Sequence, residues 1–228
     1  MAGGIERDLW SPADVADGEQ LPLLVVHDGP EYDTRAGLTG YLAAGITAGR
    51  LPRLRALLLS PGLLSPGLLS PGDRNRNYSA NARYLYSLIK AVLAKTGPPA
   101  KVRIGMGTSL GALAMLHAHS YCPLLFDALF LQSGSFFTPL SDPQERRFPY
   151  YAQVVGYTAA PRLTRPIPVL LTCGADEENL ANNRLMTGVL RGHGYPATLH
   201  EVPGGHDWAS WRGAFDPYLD DLLRLACP

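Results

Sequence analysis

Short apolar runs separated by longer stretches of helical character constrain this chain more than any other feature. The runs are Leu23–His27, Leu54–Leu59, Val102–Met106, Ala128–Gln132, Ile167–Cys173 and Thr198–Val202. They are leucine-rich or β-branched and lack strict alternation with polar residues, as strands buried on both faces should be. Helices are expected between them over Ala36–Gly49, Ala80–Lys95, Leu110–Ser120, Glu178–Gly194 and Arg212–Ala226, with Gly194 where a C-cap glycine belongs. Repeated strand and helix imply a doubly wound α/β fold, a mostly parallel sheet covered on both faces. Active sites in such sheets gather at the carboxyl ends of the strands. A length of 228 residues suits a single domain with a substantial core.

Two stretches interrupt the rhythm. Over 58–72, Leu-Leu-Ser-Pro-Gly occurs three times in succession. Its Pro-Gly pairs make it a string of turns, an insertion that lengthens the loop after a strand at small entropic cost. Residues 135–165, rich in Pro, Tyr and Phe, read as an irregular excursion over the sheet edge, a lid or pocket wall.

Composition narrows the function classes. Lys plus Arg equals Asp plus Glu at 20 each, so no overall field draws the chain to nucleic acid or to an anionic membrane. The three cysteines, Cys122, Cys173 and Cys227, suggest neither a disulfide framework nor a zinc site. No segment approaches the roughly twenty apolar residues of a membrane span, and Met1–Trp10 lacks the apolar stretch of a signal peptide. The expectation is a cytoplasmic, soluble protein with no metal site.

The strongest local signal is Gly107-Thr108-Ser109-Leu110-Gly111, between the run Val102–Met106 and the helix-forming Ala112–His119. A nucleophile elbow needs this context: a serine at the tip of a tight strand-to-helix turn, with small neighbours that let the turn close. A serine hydroxyl needs a base to remove its proton. Of the histidines, His206 sits in Pro203-Gly204-Gly205-His206-Asp207-Trp208, a glycine loop between the last strand and the last helix, and is the expected base. A carboxylate should hold the imidazole in the right tautomer. The loop Gly174-Ala175-Asp176-Glu177-Glu178 supplies it in the expected chain order; spacing favours Glu177, with Asp176 the alternative. Two backbone N–H groups should meet the oxyanion. Leu110 should give one, and the loop His27-Asp28-Gly29-Pro30-Glu31-Tyr32 the other. Pro30 has no N–H, which leaves Gly29 or Glu31, with Gly29 preferred.

Gly107–Gly111, Gln132-Ser133-Gly134-Ser135 and Gly204-Gly205-His206-Asp207-Trp208 with Trp211-Arg212 together resemble the Putative esterase family, above all its enterochelin (siderophore) esterase-like branch. The resemblance covers about Leu21 to Leu225. It implies an α/β-hydrolase fold and ester hydrolysis through an acyl-enzyme, with no cofactor. The pattern departs at Arg74-Asn75-Arg76-Asn77-Tyr78, where Asn77 replaces the family's acid, and at Phe136-Phe137, which replaces a Trp pair. The fold is expected to be short at its N-terminus, with little room for the first antiparallel strands. Phe136, Phe137 and Trp208 either wall an acyl pocket or pack in the core. The alternatives to an esterase are a catalytically idle binding domain and an acyltransferase on the same triad.

Overall fold

Five of the six apolar runs form strands buried on both faces of one sheet, whereas Thr198–Val202 forms an edge strand in which Thr198 and Glu201 are exposed. The computed structural model describes residues 7–16, 18–61, 71–93 and 99–227. Most of the Leu-Leu-Ser-Pro-Gly repeat, at 62–70, lies outside the described residues. In chain order the elements are β1 (Arg7–Trp10), β2 (Leu23–His27), α1 (Gly29–Ala36), α2 (Leu38–Thr47), β3 (Arg55–Leu59), α3 (Pro71–Tyr78) and α4 (Ala82–Leu93). There follow β4 (Arg103–Thr108), α5 (Leu110–Tyr121), β5 (Ala128–Gln132), a 3-10 turn (Pro143–Arg147), α6 (Tyr151–Ala159) and β6 (Val169–Gly174). The chain ends in α7 (Leu180–Gly192), β7 (Ala197–Val202), α8 (Trp208–Gly213) and α9 (Asp220–Ala226).

The seven strands lie in the order β1, β3, β2, β4, β5, β6, β7. All neighbours are parallel except β1, which runs antiparallel to β3 with Arg7 opposite Leu59. Successive strand residues point to opposite faces. Leu23, Val25, Leu57, Leu59, Leu129, Leu131, Val169 and Leu171 thus meet α4, α5 and α7 on one side. Leu24, Val26, Ala56, Leu58, Ile104, Met106, Ala128 and Phe130 meet α1, α2 and α9 on the other. Burial on both faces is the reason these runs carry no polar alternation.

Several expectations need correction. An antiparallel strand, β1, is present where little room was expected; its four residues are too few for a periodic signal. The loop at Gly29–Tyr32 is the start of α1, with Pro30 in the first turn, where its missing N–H costs nothing. The helix expected from Ala36 begins at Leu38, after Gly37 turns the chain at φ 63°. Arg74–Tyr78, where the family pattern departs, belongs to α3. The helix expected over Arg212–Ala226 is broken, with Asp216 in extended backbone between α8 and α9. The excursion 135–165 contains the 3-10 turn and α6. Among the described residues no helix is long and apolar enough to cross a membrane.

Candidate active site

The turn from β4 into α5 sets the position of Ser109. The Ser109 N–H extends the β4–β5 pairing by donating to Gln132 O at 2.9 Å, while its own carbonyl already accepts from the Ala112 and Leu113 N–H groups of α5. One residue cannot end a strand and begin a helix in ordinary backbone, and Ser109 is held at φ 55°, ψ −125°. A non-glycine residue in that region is strained by about 1–3 kcal/mol. The turn closes because Gly107 has no side chain: a Cβ there would lie 2.6 Å from the Gly111 carbonyl carbon and oxygen. Ser109 is thereby lifted to the strand ends, partly exposed, into a cavity of about 310 Å³.

The carboxyl ends of β6 and β7 bring the other two members to that cavity. Glu177 follows a turn in which its N–H donates to Gly174 O at 3.2 Å. Its side chain, 1% exposed, accepts from His206 Nδ1 at 2.8 Å through Oε2. Its other oxygen, Oε1, accepts from Ser133 Oγ at 2.6 Å and from the Gly174 N–H at 2.8 Å. Burial pushes the Glu177 carboxyl up, but the hydrogen bonds from His206, Ser133 and Gly174 outweigh it and hold the group below the ordinary glutamate value. Asp176, the alternative acid, is exposed, and its side chain does not line the cavity. His206 stands edge-on to Trp211 with ring centroids 5.0 Å apart, and the following Asp207 caps α8 by accepting from the Ser210 N–H.

Ser109, Leu110, Glu177 and His206 all line the cavity. Ser109 Oγ is hydrogen-bonded to Ser135 Oγ at 3.1 Å; among the described residues no hydrogen bond joins it to His206. The Leu110 N–H opens α5 and, by helix geometry, has no partner within the helix. Gly29 does not line the cavity. It opens α1, and a Cβ on it would run into the backbone of Leu58, so its smallness serves the packing of α1 on β3. Of the three aromatic residues, Phe137 lines the cavity, whereas Phe136 is fully buried in the core beneath Gly134. Trp208 packs edge-on against Tyr32 and Trp211 instead of facing the cavity.

Several groups with no role in the sequence reading also stand here. Arg74 of α3 enters the cavity and binds the buried Asp28 carboxylate through Nε at 2.8 Å and Nη2 at 2.6 Å. Burial would lower the Arg74 pKa, but the Asp28 charge outweighs it and raises the value, so the guanidinium stays charged. Ser133 receives the Trp211 Nε1–H at 2.9 Å and passes its own proton toward Glu177. Asn183 of α7 holds Gly134 at both ends, through Gly134 N at 3.1 Å and Gly134 O at 2.8 Å. The Gln132-Ser133-Gly134-Ser135 pattern was the available signal for this bracing. Among the described residues no group of His, Cys, Asp and Glu side chains converges as a metal site.

A family model described as Putative esterase matches residues 8–222. Among solved structures, the chain is similar to the enterobactin esterase of Shigella flexneri, crystallised in the presence of enterobactin, with a TM-score of 0.77 at 21% identity. That match covers 97% of this chain and 55% of the other, so the chain spans about half of that esterase. A ferulic acid esterase gives a TM-score of 0.71 at 15% identity, over 99% of this chain and 100% of the other. An S-formylglutathione hydrolase from Staphylococcus aureus gives 0.64 at 15% identity, over 97% and 92%. No curated protein sequence matches the chain. The architecture is the α/β-hydrolase fold.

Proposed function

Because the chain belongs to the Putative esterase family, we propose that it hydrolyses carboxylic esters through an acyl-enzyme on Ser109. The observation that carries this reading is the buried Glu177 carboxylate, 2.8 Å from His206 Nδ1, in the same cavity as a serine held in strained backbone. Glu177 fixes the tautomer with the proton on Nδ1, which leaves His206 Nε2 as a proton acceptor. As Ser109 Oγ attacks the ester carbonyl, its proton passes to Nε2. Negative charge develops on the carbonyl oxygen near the Leu110 N–H and the N-terminus of α5, both of which favour it. His206 then protonates the leaving alcohol, and a water activated by the same imidazole cleaves the acyl-enzyme.

The cavity of about 310 Å³ is at the small end for ligand sites and suits a compact ester. A siderophore-sized lactone would extend well beyond it. The test is labelling by a fluorophosphonate probe and turnover of p-nitrophenyl acetate, with Ser109→Ala and His206→Ala alongside. Wild-type protein should label and turn over, and Ser109→Ala should do neither. Undiminished labelling of Ser109→Ala, or none of the wild type, refutes the reading.

A further inference from the structure

The Ser135 hydroxyl stands where the mechanism above gives it nothing to do. It is 3% exposed, and its Oγ lies 3.1 Å from the Oγ of Ser109. Its backbone N–H also donates to Ser109 O at 3.2 Å, so the two residues are tied at backbone and side chain alike. The segment that carries it is braced throughout. Ser133 takes a left-handed conformation at φ 47° and donates its N–H to Thr172 O, and Gly134 is clasped by Asn183. Ser135 is thus a fixed hydroxyl on the side of the nucleophile that faces β5.

We propose that Ser135 is a positioning residue for the nucleophile, donating its hydroxyl hydrogen to Ser109 Oγ so that the Ser109 proton is directed to His206. This rests on the esterase reading of the site. A hydroxyl oxygen carries one proton and two lone pairs. Among the described residues Ser109 Oγ is the sole side-chain partner of Ser135 Oγ, and either hydroxyl can donate; donation by Ser135 leaves the Ser109 proton free. With a lone pair of Ser109 so occupied, the Ser109 proton points elsewhere into the cavity, which His206 also lines. During attack the Ser109 O–H bond breaks, its proton moves to Nε2, and an Oγ electron pair forms the bond to the carbonyl carbon. The Ser135 proton stays on Ser135 throughout and stabilises the charge that builds on Oγ. Once Oγ becomes an ester oxygen it accepts hydrogen bonds poorly, and the contact weakens.

The experiment compares Ser135→Ala with the near-isosteric Ser135→Cys, whose thiol keeps the shape but donates weakly. The readouts are kcat and KM for p-nitrophenyl acetate and the second-order rate of fluorophosphonate labelling, with folding checked by thermal melting. Both variants should lose about tenfold to a hundredfold in kcat and in labelling rate, with KM little changed. A wild-type labelling rate in Ser135→Ala overturns the proposal, and so does a wild-type rate in Ser135→Cys, since shape would then suffice. Labelling that persists in Ser109→Ala would instead overturn the esterase reading, whatever the Ser135 variants do.

Discussion

Replacing Glu177 by Gln exchanges one carboxylate oxygen for an NH2 group and should disable the site through the tautomer of His206. Oε1 of Glu177 faces two donors, the Gly174 N–H at 2.8 Å and the Ser133 hydroxyl at 2.6 Å. Ser133 cannot readily turn its proton away, because its oxygen already receives the Trp211 Nε1–H at 2.9 Å. A glutamine must therefore put its carbonyl oxygen on that side and its NH2 on the side of His206 Nδ1. The NH2 can only donate. Nδ1 then becomes the acceptor, the imidazole proton moves to Nε2, and the base has no lone pair to offer Ser109. A triad with the wrong tautomer loses about a thousandfold to ten-thousandfold in kcat, which is ~4–5.5 kcal/mol of barrier. The assay is p-nitrophenyl acetate hydrolysis by Glu177→Gln and Asp176→Asn beside the wild type. Asp176 is exposed and outside the cavity, so Asp176→Asn should stay within a fewfold of wild type. A Glu177→Gln enzyme within tenfold of wild type, or a larger loss in Asp176→Asn, refutes the reasoning.

Ser109→Gly should abolish turnover and yet raise stability by about 1 kcal/mol in urea unfolding, since glycine relieves the backbone at φ 55° at only a modest entropic cost; a less stable variant would show that the turn is not strained. Gly107→Ala should destabilise by ~2–3 kcal/mol, read as a lowered Tm, because the new Cβ would sit 2.6 Å from the Gly111 backbone, which cannot swing aside as a side chain would. His27, fully buried with its pKa lowered to about 4 by desolvation, gives a pH-dependent stability. Between pH of about 6.5 and 4 the unfolded chain binds a proton there that the folded chain does not, so stability falls with pH by up to ~3 kcal/mol. His27→Gln should flatten that decline in urea unfolding at stepped pH, leaving the shares from His117, lowered to about 4, and from His119, also lowered by burial; an unchanged slope counts against the assignment.

The strands and the serine turn were legible because both leave local marks. Uninterrupted apolar runs identify the inner strands, and Gly107 and Gly111 flank a serine set directly between a run and a helix. What stayed hidden depends on distant partners. Asn-rich α3 has poor intrinsic helix propensity and is secured from outside, by Arg74 on Asp28 and by Asn77 Nδ2 on Pro61 O at 2.8 Å. Asp176 and Glu177 differ by one step in a turn, and only the fold of that turn decides which carboxylate points inward. Phe136 and Phe137 are equally apolar, but the irregular chain around Gly134 sends one into the core and the other to the cavity. The smallness of Gly29 has a reason remote in sequence, since a Cβ on it would meet the backbone of Leu58.

The tetrapeptide Gln132–Ser135 braces the acid through Ser133 and the nucleophile through Ser135, so an exchange there disturbs both ends of the site at once. Other cavity walls come from residues that hold neither: Asn75 on α3, and Glu145 and Phe148 at the 3-10 turn. On the proposed esterase function, selection can therefore revise the accepted ester by single steps in those walls with the proposed triad intact. New chemistry would need coordinated exchanges in the tetrapeptide, so descendants of such a chain should diversify in diet far sooner than in reaction.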